Sequence, residues 1–148
     1  MSILVTGSSG FIGFHTTIAL LKKNENVVGI DNLNSYYEKQ LKLSRNKFIF
    51  NFIKKNKLKS KYKFYKLDIS NNKDLEKIFK RHNFKKIIHL AAQAGVRYSL
   101  KNPSVYIKSN LVGFGNILEN SRKYNIKHLV YASSSSVYGE KERKPLSE

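Results

Sequence analysis

The sequence predicts an α/β fold in which one parallel sheet carries helices on both faces. Short apolar runs that suit buried strands alternate five times with longer segments of helical periodicity. The spacing suits right-handed crossovers between parallel strands, which indicates a doubly wound sheet of strand order 3-2-1-4-5. The length of 148 residues allows one domain of ordinary size.

The first half of the chain contains two of the predicted strands and two helices. Residues 2–6 form an apolar run that ends at a glycine, as a buried strand does, and residues 11–23 then have helical spacing. Residues 27–30 form a second buried strand. Residues 36–56 predict a long amphipathic helix, whose Lys-rich continuation to residue 61 we interpret as a solvated face beside a core-facing stripe. The predicted apolar stripe is Leu41, Leu43, Phe48, Phe52 and Ile53.

Three further strands follow, each after a polar or helical segment. Residues 62–67 predict the third strand, and Ser70 or Asn72 is expected to cap a helix over residues 73–82. Residues 86–90 predict the fourth strand. The remaining predicted elements are a helix over 103–124 with Pro103 near its first turn, a fifth strand over 126–132, and a polar turn over 133–139.

Three glycines separate the first strand from the first helix. The segment 6–13, TGSSGFIG, has G-x-x-G-x-x-G spacing rather than the commoner G-x-G-x-x-G. Gly7 permits a sharp turn out of the strand, Gly10 permits close approach of a pyrophosphate, and Gly13 permits close packing of helix on strand. The free N–H groups at the helix start, around Phe11 and Ile12, attract phosphate. The context predicts a phosphate-binding turn, with an ordinary glycine turn as the alternative.

Acidic side chains end the second and third strands. Asp31 lies 18 residues after Gly13, where a carboxylate can accept both ribose hydroxyls of adenosine and repel a 2′-phosphate. This favours NAD over NADP, and a strand-end turn aspartate is the alternative. Asp68, followed by Ile69, can reach an adenine amino group or cap the next helix. Further polar neighbours in the loop after the second strand are Asn32, Asn34, Ser35 and Lys39.

The composition argues against several classes of function. Lys and Arg number 28 and Asp and Glu number 10, which gives a formal net charge of +18. That charge is typical of nucleic-acid or anionic-membrane binders, but only five of the basic residues are arginine, which nucleic-acid sites favour. We interpret the charge as compositional drift and expect no nucleic-acid or membrane partner. The absence of cysteine excludes disulfides, zinc–thiolate sites and thiol nucleophiles.

Histidines and the N-terminus give two further expectations. His15, His82, His89 and His128 are dispersed without ligand spacing, so no metal site is predicted. His89 falls within a buried strand and is expected to be a hydrogen-bonded core histidine. The chain begins directly in a strand without a cationic leader, and no run approaches the roughly 18 apolar residues of a membrane span. These features predict a cytoplasmic protein.

Together the motifs resemble those of the extended short-chain dehydrogenase/reductases, the NAD-dependent epimerase/dehydratase family. Within that group, DNLNSYY at 31–37 and AAQAGVRYS at 91–99 are similar to the UDP-glucuronate 4-epimerases. The resemblance spans the whole chain. The motifs that carry it are TGxxGxxG at 6–13, Leu-Asp-Ile at 67–69, His-Leu-Ala-Ala at 89–92, Asn110, and SSSSVYG at 133–139.

The resemblance implies a Rossmann-type NAD-binding domain over residues 1–148 that is truncated before the later strands and the C-terminal substrate domain. It also implies an isomerase that removes a hydride from C4 of a UDP-sugar, most closely UDP-glucuronate, and returns it to the other face. The full-length protein would be a homodimer, with residues 103–124 among the dimer helices. A stand-alone dinucleotide-binding module without catalysis is the alternative function.

The resemblance also assigns roles by position. Ser134 would hydrogen-bond the reacting sugar oxygen, while Ser135 and Ser136 would lie beside the sugar; a polar strand-end turn is the alternative. Arg97 would meet the sugar carboxylate or diphosphate, unless it is an ordinary solvated arginine. Asn110 would brace the fourth and fifth strands against the cofactor. Residues expected to line the cofactor after the fourth strand are Leu90, Ala91, Ala92 and Gln93.

The sequence departs from the family at the catalytic base. The family's Tyr-x-x-x-Lys follows the Pro-Leu-Ser-Glu segment, which here is residues 145–148. The one Tyr-x-x-x-Lys present, Tyr62 and Lys66, falls in the third predicted strand, where positions i and i+4 lie roughly 13 Å apart. The chemistry requires both side chains on one helical face. We therefore expect these 148 residues alone to be inactive.

Overall fold

The structure is a computed structural model that describes residues 1–139. It confirms the predicted doubly wound α/β class. One sheet contains five parallel strands in the order β3-β2-β1-β4-β5. Residues 145–148, which precede the family's catalytic motif, lie outside the described residues. The strands are β1 (Ser2–Thr6), β2 (Asn26–Asp31), β3 (Tyr62–Lys66), β4 (Phe84–His89) and β5 (His128–Tyr131).

The helices follow the predicted order, with one addition. Helix α4 was not predicted, because its six residues contain too little periodicity to separate them from a loop. Within residues 1–139, no helix has the length and apolarity that crossing a membrane requires. The helices are α1 (Phe11–Lys22), α2 (Lys39–Lys55), α3 (Asn72–Arg81), α4 (Val96–Lys101), α5 (Pro103–Tyr106) and α6 (Phe114–Lys123).

The sheet has a hydrophobic core on each face, as a doubly wound fold requires. Successive residues of a strand point to opposite faces. Leu4 of β1 therefore belongs to the cluster that packs under α3 and α6, whereas Ile3 and Val5 belong to the cluster under α1 and α2. Fully buried side chains of the helices complete the two clusters, with Leu75 and Ile117 on one face and Leu21 and Ile49 on the other.

The predicted apolar stripe of α2 is wrong in phase for three of its five residues, whereas Phe52 is half-buried and Ile53 packs against the core. Leu41, Leu43 and Phe48 are 46%, 40% and 53% exposed, and the helix buries Lys42, Asn46 and Ile49 instead. The reason is what the helix packs against. Its inner face covers the turn between β1 and α1, where polar groups need partners, so hydrogen-bonding side chains occupy part of that face. Phe48 packs edge-on against Phe14 at 5.6 Å between ring centroids.

Two helix starts also differ from the predictions. Helix α2 begins at Lys39 rather than at residue 36. Tyr36 lies in the preceding loop, where its ring packs against that of Tyr98 with 4.9 Å between the ring centroids. Helix α3 is capped by Asn71, not by Ser70 or Asn72. The Asp74 amide donates to Asn71 Oδ1 at 3.2 Å, and Asn71 Nδ2 donates back to Asp74 Oδ2 at 2.7 Å.

The predicted continuous helix over 103–124 is interrupted. Between α5 and α6 the chain forms a π-helical segment, Ile107–Gly113. A Cβ at Gly113 would lie 2.7 Å from Ile69 Cγ1, so the segment lies close against the loop after β3. Such interruptions are frequent at functional sites. The turn after β5 contains a short 3-10 helix, Ser135–Tyr138.

Candidate functional site

A cleft of about 390 Å³ opens at the carboxyl ends of β1, β2 and β4. This is the edge at which doubly wound sheets bind ligands, because the strand order reverses there. All of the residues that the sequence analysis assigns to the cofactor line the cleft, except Ser35 and Asn110. Side chains of α2 and of the loop that precedes it form the remaining wall.

The glycine turn between β1 and α1 forms the floor of the cleft. Gly7 has a φ of +68°, and the Gly10 amide donates to its carbonyl at 2.9 Å. A Cβ at Gly7 would lie 2.8 Å from the Ala91 nitrogen, and one at Gly13 would lie 2.8 Å from the Gly7 carbonyl carbon. Among residues 1–139 no side chain caps α1, so the amides of its first turn are available to bind an anion. The turn therefore fits a phosphate group.

A buried hydrogen-bond network supports the turn from α2 and β3. Asn46 Nδ2 donates to Ser9 Oγ at 2.9 Å, and the Tyr62 hydroxyl donates to Asn46 Oδ1 at 3.2 Å. The Tyr62 oxygen lies 3.4 Å from Ser8 Oγ, whose hydroxyl can donate to it. Gly29 leaves the space in which Ser8 and Tyr62 meet, because a Cβ there would lie 2.5 Å from both hydroxyl oxygens.

Tyr62 consequently has the opposite properties to a catalytic base. Burial raises the pKa of its phenol to about 12, with a smaller contribution from the charge of Asp31, and the hydrogen bond with Ser8 only partly offsets this. A catalytic tyrosine of the expected kind requires a lowered pKa. Lys66 is exposed on the same strand. The structure therefore places the pair in a strand, as predicted, with Tyr62 in a supporting role.

Asp31 organises the loop that follows β2. Its Oδ2 accepts from the Ser9 amide at 3.2 Å and its Oδ1 from the Leu33 amide at 2.8 Å. The Asn34 amide donates to Asn32 Oδ1 at 3.0 Å, which closes a second turn. Each carboxylate oxygen of Asp31 retains a lone pair for a further donor. The carboxylate lies against the cleft and joins the glycine turn to this loop.

Asp68 lies in the loop after β3 and stabilises a turn rather than capping a helix. Its Oδ1 accepts from the amide and hydroxyl of Ser70 at 3.0 and 2.7 Å, and Lys108 Nζ lies 3.6 Å from its Oδ2. Burial raises the pKa of Asp68, but the bonds from Ser70 and the charge of Lys108 outweigh burial, so the net pKa is lowered. The carboxylate lines the cleft beside Asn32 and Ile69.

Thr6 and His89 join the ends of β1 and β4. Thr6 Oγ1 accepts from the amides of Leu90 and Ala91 at 3.2 Å each and lies 2.7 Å from His89 Nδ1. The Thr6 hydroxyl proton is therefore available for Nδ1, which leaves the imidazole neutral. The His89 ring stacks on the Phe114 ring, with 5.2 Å between the ring centroids. His89 is 7% exposed and is the hydrogen-bonded core histidine that the sequence predicts.

The burial of His89 predicts a pH dependence of stability. Desolvation lowers its pKa in the folded protein to about 4, below the ordinary 6.5. Between these two pKa values the unfolded chain binds more protons than the folded chain. The contribution of His89 to stability is therefore fully present above pH 6.5 and is lost as the pH falls towards 4. We expect about 2 kcal/mol of this loss to disappear in His89→Gln. Urea denaturation of both proteins at pH 7 and pH 4.5 measures it, and parallel losses would contradict the assignment.

Asn110 is bonded to the loop after β4 rather than to the fourth and fifth strands that the family resemblance implies. Its Oδ1 accepts from the Gln93 amide at 2.8 Å, and its Nδ2 donates to the Gln93 carbonyl at 2.9 Å. Within residues 1–139 its hydrogen bonds reach the loop after β4 and not β5. Asn110 lies in the π-helical segment Ile107–Gly113, which follows α5. Asn110 therefore acts on the cleft through Gln93, which is 5% exposed.

The expected substrate residues lie outside the cleft. Ser134 caps the 3-10 helix by accepting from the Ser136 amide at 3.2 Å, and its hydroxyl lies 3.2 Å from Ser136 Oγ. Ser134, Ser135 and Ser136 are exposed beyond the end of β5, and Arg97 is exposed on α4. The serines and Arg97 thus share the carboxyl edge of the sheet without forming one site in the described residues. Within residues 1–139 there is no group of three or more His, Asp or Glu side chains that could hold a metal ion.

Sequence reasoning missed two cations on the inner face of α2. Lys42 is 7% exposed, and its ammonium donates to the Asn34 carbonyl at 3.1 Å and to Asn34 Oδ1 at 2.7 Å. Arg45 Nη1 donates to the Ser9 carbonyl at 3.1 Å. Both line the cleft, as does Tyr36. The sequence does contain a signal for these two cations: they lie three residues apart on the helical face that also carries Ile49. The prediction overlooked that face because it followed the apolar stripe instead.

Comparisons with known proteins agree with this geometry. The family model described as GDP-mannose 4,6 dehydratase matches residues 4–148. Protein CapI of Staphylococcus aureus is 48% identical over 99% of this chain and 42% of its own length. UDP-glucuronate 4-epimerase of Thermodesulfobacterium geofontis is 46% identical over 91% of this chain and 40% of its own length.

A solved structure gives the same result for the fold. The Thermus thermophilus UDP-glucose 4-epimerase in complex with NAD aligns with a TM-score of 0.78 at 30% identity, over 100% of this chain and 42% of that chain. The chain thus spans about 40% of the length of these relatives. The family model covers nearly the whole sequence, the strand order is that of the predicted fold, and the chain belongs to the GDP-mannose 4,6 dehydratase family of NAD-dependent epimerases and dehydratases.

Proposed function

We propose that residues 1–148 are the NAD-binding part of a nucleotide-sugar 4-epimerase that acts on a UDP-sugar, with UDP-glucuronate as the favoured substrate. The observation that carries the proposal is the cleft at the carboxyl ends of β1, β2 and β4. Its floor is a glycine turn with free helix-start amides, and its side is the Asp31 carboxylate. The relatives named as UDP-glucuronate 4-epimerases support the substrate class.

The cleft matches a dinucleotide in two respects. A pyrophosphate needs close backbone approach and N–H donors, which the turn from Gly7 to Gly13 offers. The adenosine ribose needs an acceptor at the end of β2, where Asp31 has remaining lone pairs. In this assignment Asp68 and Ile69 lie towards the adenine, and Ala91, Ala92 and Gln93 lie towards the nicotinamide. A 2′-phosphate would meet the negative charge of Asp31, so NAD is the proposed cofactor rather than NADP.

The proposed reaction also assigns roles to residues outside the cleft. Bound NAD would accept a hydride from sugar C4 and return it to the opposite face of the 4-keto sugar. Ser134 would donate a hydrogen bond to the C4 oxygen, with Ser135 and Ser136 beside the sugar and Arg97 near its anionic groups. The proton of the C4 hydroxyl requires a base of lowered pKa, and Tyr62 does not fit that role. We therefore propose that this chain alone binds cofactor without epimerising the sugar.

Calorimetric titration of the chain with NAD and NADP tests the cofactor assignment. We expect saturable NAD binding and about tenfold weaker NADP binding, because like charges oppose each other at Asp31. Incubation with NAD and UDP-glucuronate should leave the sugar unchanged, as followed by chromatographic separation of its C4 epimer. Absence of heat with NAD would contradict the proposed cofactor site, and formation of the epimer would contradict the proposed inactivity.

The full-length protein is proposed to be a homodimer through the segment from α5 to α6. Ile107, Leu111 and Leu118 of this segment are 56%, 71% and 45% exposed. Apolar side chains concentrated on one helical segment are typical of an interface. Light scattering of the full-length protein should give twice the chain mass, and Leu111→Lys should give a monomer. A monomeric parent would contradict the proposal.

A further inference from the structure

Lys42 is a buried ammonium group whose partners in the described residues are two neutral oxygens. Both belong to Asn34, at 3.1 Å for the backbone carbonyl and 2.7 Å for Oδ1. Among residues 1–139, no carboxylate oxygen lies within 4.0 Å of its Nζ. A buried cation without an anionic partner is costly unless its remaining donor is used.

The ammonium has three N–H donors, and Asn34 uses two of them. The side chain is 7% exposed, yet it is among the residues that line the cleft, so the exposed part faces the cleft rather than bulk solvent. Asn34 lies three residues after Asp31, whose carboxylate marks the proposed ribose position. Lys42 and Asp31 therefore both line the cleft, and the bonds to Asn34 hold the Lys42 ammonium at the loop that begins at Asp31.

We infer that Lys42 binds the adenosine ribose of the cofactor. Its ammonium donates a hydrogen bond to a ribose hydroxyl, and the same hydroxyl donates a hydrogen bond to the Asp31 carboxylate. The inference rests on the proposed cofactor function and adds a residue to that site. A hydroxyl can donate to the carboxylate and accept from the ammonium at once, so the two charged residues bind one uncharged ligand group. The burial of Lys42 and its bonds to Asn34 hold the donor in place before the ligand arrives.

The neighbouring Arg45 has a separate role that keeps the inference specific. Its guanidinium donates to the Ser9 carbonyl at 3.1 Å and lies 6.0 Å from the Phe11 ring centroid, so it holds the glycine turn. Lys42, one helical turn earlier, holds the loop after β2. Helix α2 thus holds both segments beside the proposed adenosine site, Arg45 through the glycine turn and Lys42 through the loop that begins at Asp31.

Lys42→Met removes the ammonium and retains most of the apolar stem, and Lys47→Met is its control. Lys47 lies on the exposed face of α2, so the control makes the same change in net charge away from the cleft. A hydrogen bond from a charged donor corresponds to at least about a tenfold change in affinity. We expect NAD affinity, measured by calorimetry, to fall at least tenfold in Lys42→Met and less than twofold in Lys47→Met.

Titrations with ADP, 2′-deoxy-ADP and 3′-deoxy-ADP separate a direct contact from an effect through Asn34. If Lys42 contacts a ribose hydroxyl, Lys42→Met weakens ADP binding about tenfold but weakens one deoxy analogue less than twofold, because the contact is already absent. Equal losses for all three ligands, or no loss relative to Lys47→Met, overturn the inference while the cofactor site stands. Failure of the parent chain to bind NAD overturns both.

Circular dichroism of each variant gives a check on folding. Lys42→Met replaces a buried cation with an apolar group of similar length, and its folded spectrum should match that of the parent. If Lys42→Met does not fold, Lys42→Gln, which retains a neutral donor, is measured in the same titrations. A Lys42→Gln affinity equal to that of the parent would also overturn the requirement for a charged donor.

Discussion

Gly13→Ala is expected to destabilise the protein by about 3 kcal/mol, because the added methyl group would overlap the backbone of the glycine turn. The added Cβ would lie 2.8 Å from the Gly7 carbonyl carbon and 3.0 Å from Ser8 Cα. These are backbone atoms of a turn that the Gly10 amide, Asn46 and Tyr62 already fix, so no side-chain rotation relieves the overlap. Helix α1 would have to move away from β1, and its first-turn amides would leave the floor of the cleft.

Gly115→Ala is the matched control. Gly115 lies within α6, and a Cβ there meets no atom of the described residues outside the helix's own backbone within 4 Å. Alanine loses less backbone entropy than glycine on folding in a helix, so this variant should gain about 0.5–1 kcal/mol. Urea denaturation of the parent and both variants measures the two effects. A Gly13→Ala stability within about 0.5 kcal/mol of the parent would contradict the packing argument, and failure to fold would set a lower bound on the loss.

The sheet was predictable because buried parallel strands have a strong sequence signal. Runs such as 2–6 and 27–30 are apolar on both faces and stop at a glycine or an acidic residue, and the structure places β1 and β2 there. The glycine spacing at 6–13 was equally informative, because the turn requires residues without a side chain where α1 meets β1. Local signals of this kind depend on few long-range contacts.

The wall formed by α2 was not predictable from periodicity. Hydrophobic spacing assigns the inner face of a helix by assuming that what it covers is apolar. Helix α2 instead covers the polar backbone of the glycine turn and the loop after β2, so Asn46 and Lys42 are buried while Phe48 is exposed. Which helix covers the turn is a property of the tertiary fold, and no local pattern contains it.

The interruption at Ile107–Gly113 has a similar origin. A continuous helix satisfies local propensity, but Asn110 bonds both backbone groups of Gln93, which lies 17 residues earlier in the chain. Gly113 also lies close to Ile69, which is in the loop after β3. Both contacts are with loops at the carboxyl edge of the sheet, so the departure from regular helix occurs where the cleft is built.

Asp31→Asn is expected to lower NAD affinity about 100-fold. The proposed contact is a charged acceptor for ribose hydroxyls, and such bonds contribute about 1.5–3 kcal/mol. The amide side chain of this variant would retain an oxygen for the Leu33 amide but would lose the acceptor that Oδ2 provides to the Ser9 amide. Asp74→Asn is the control, because it removes the same charge from an exposed position on α3. Equal NAD affinities of the two variants would contradict the ribose contact.

The NADP affinity of the same variants separates two explanations for that loss. If the substitution only loosens the loop after β2, NAD and NADP binding weaken together, and their ratio stays constant. If the carboxylate acts through its charge, its removal ends the repulsion of a 2′-phosphate, and Lys42 and Arg45 remain in the same wall of the cleft. NADP affinity should then fall less than NAD affinity or rise. A shift of the NAD-to-NADP ratio by at least about tenfold would therefore identify Asp31 as the residue that selects the cofactor.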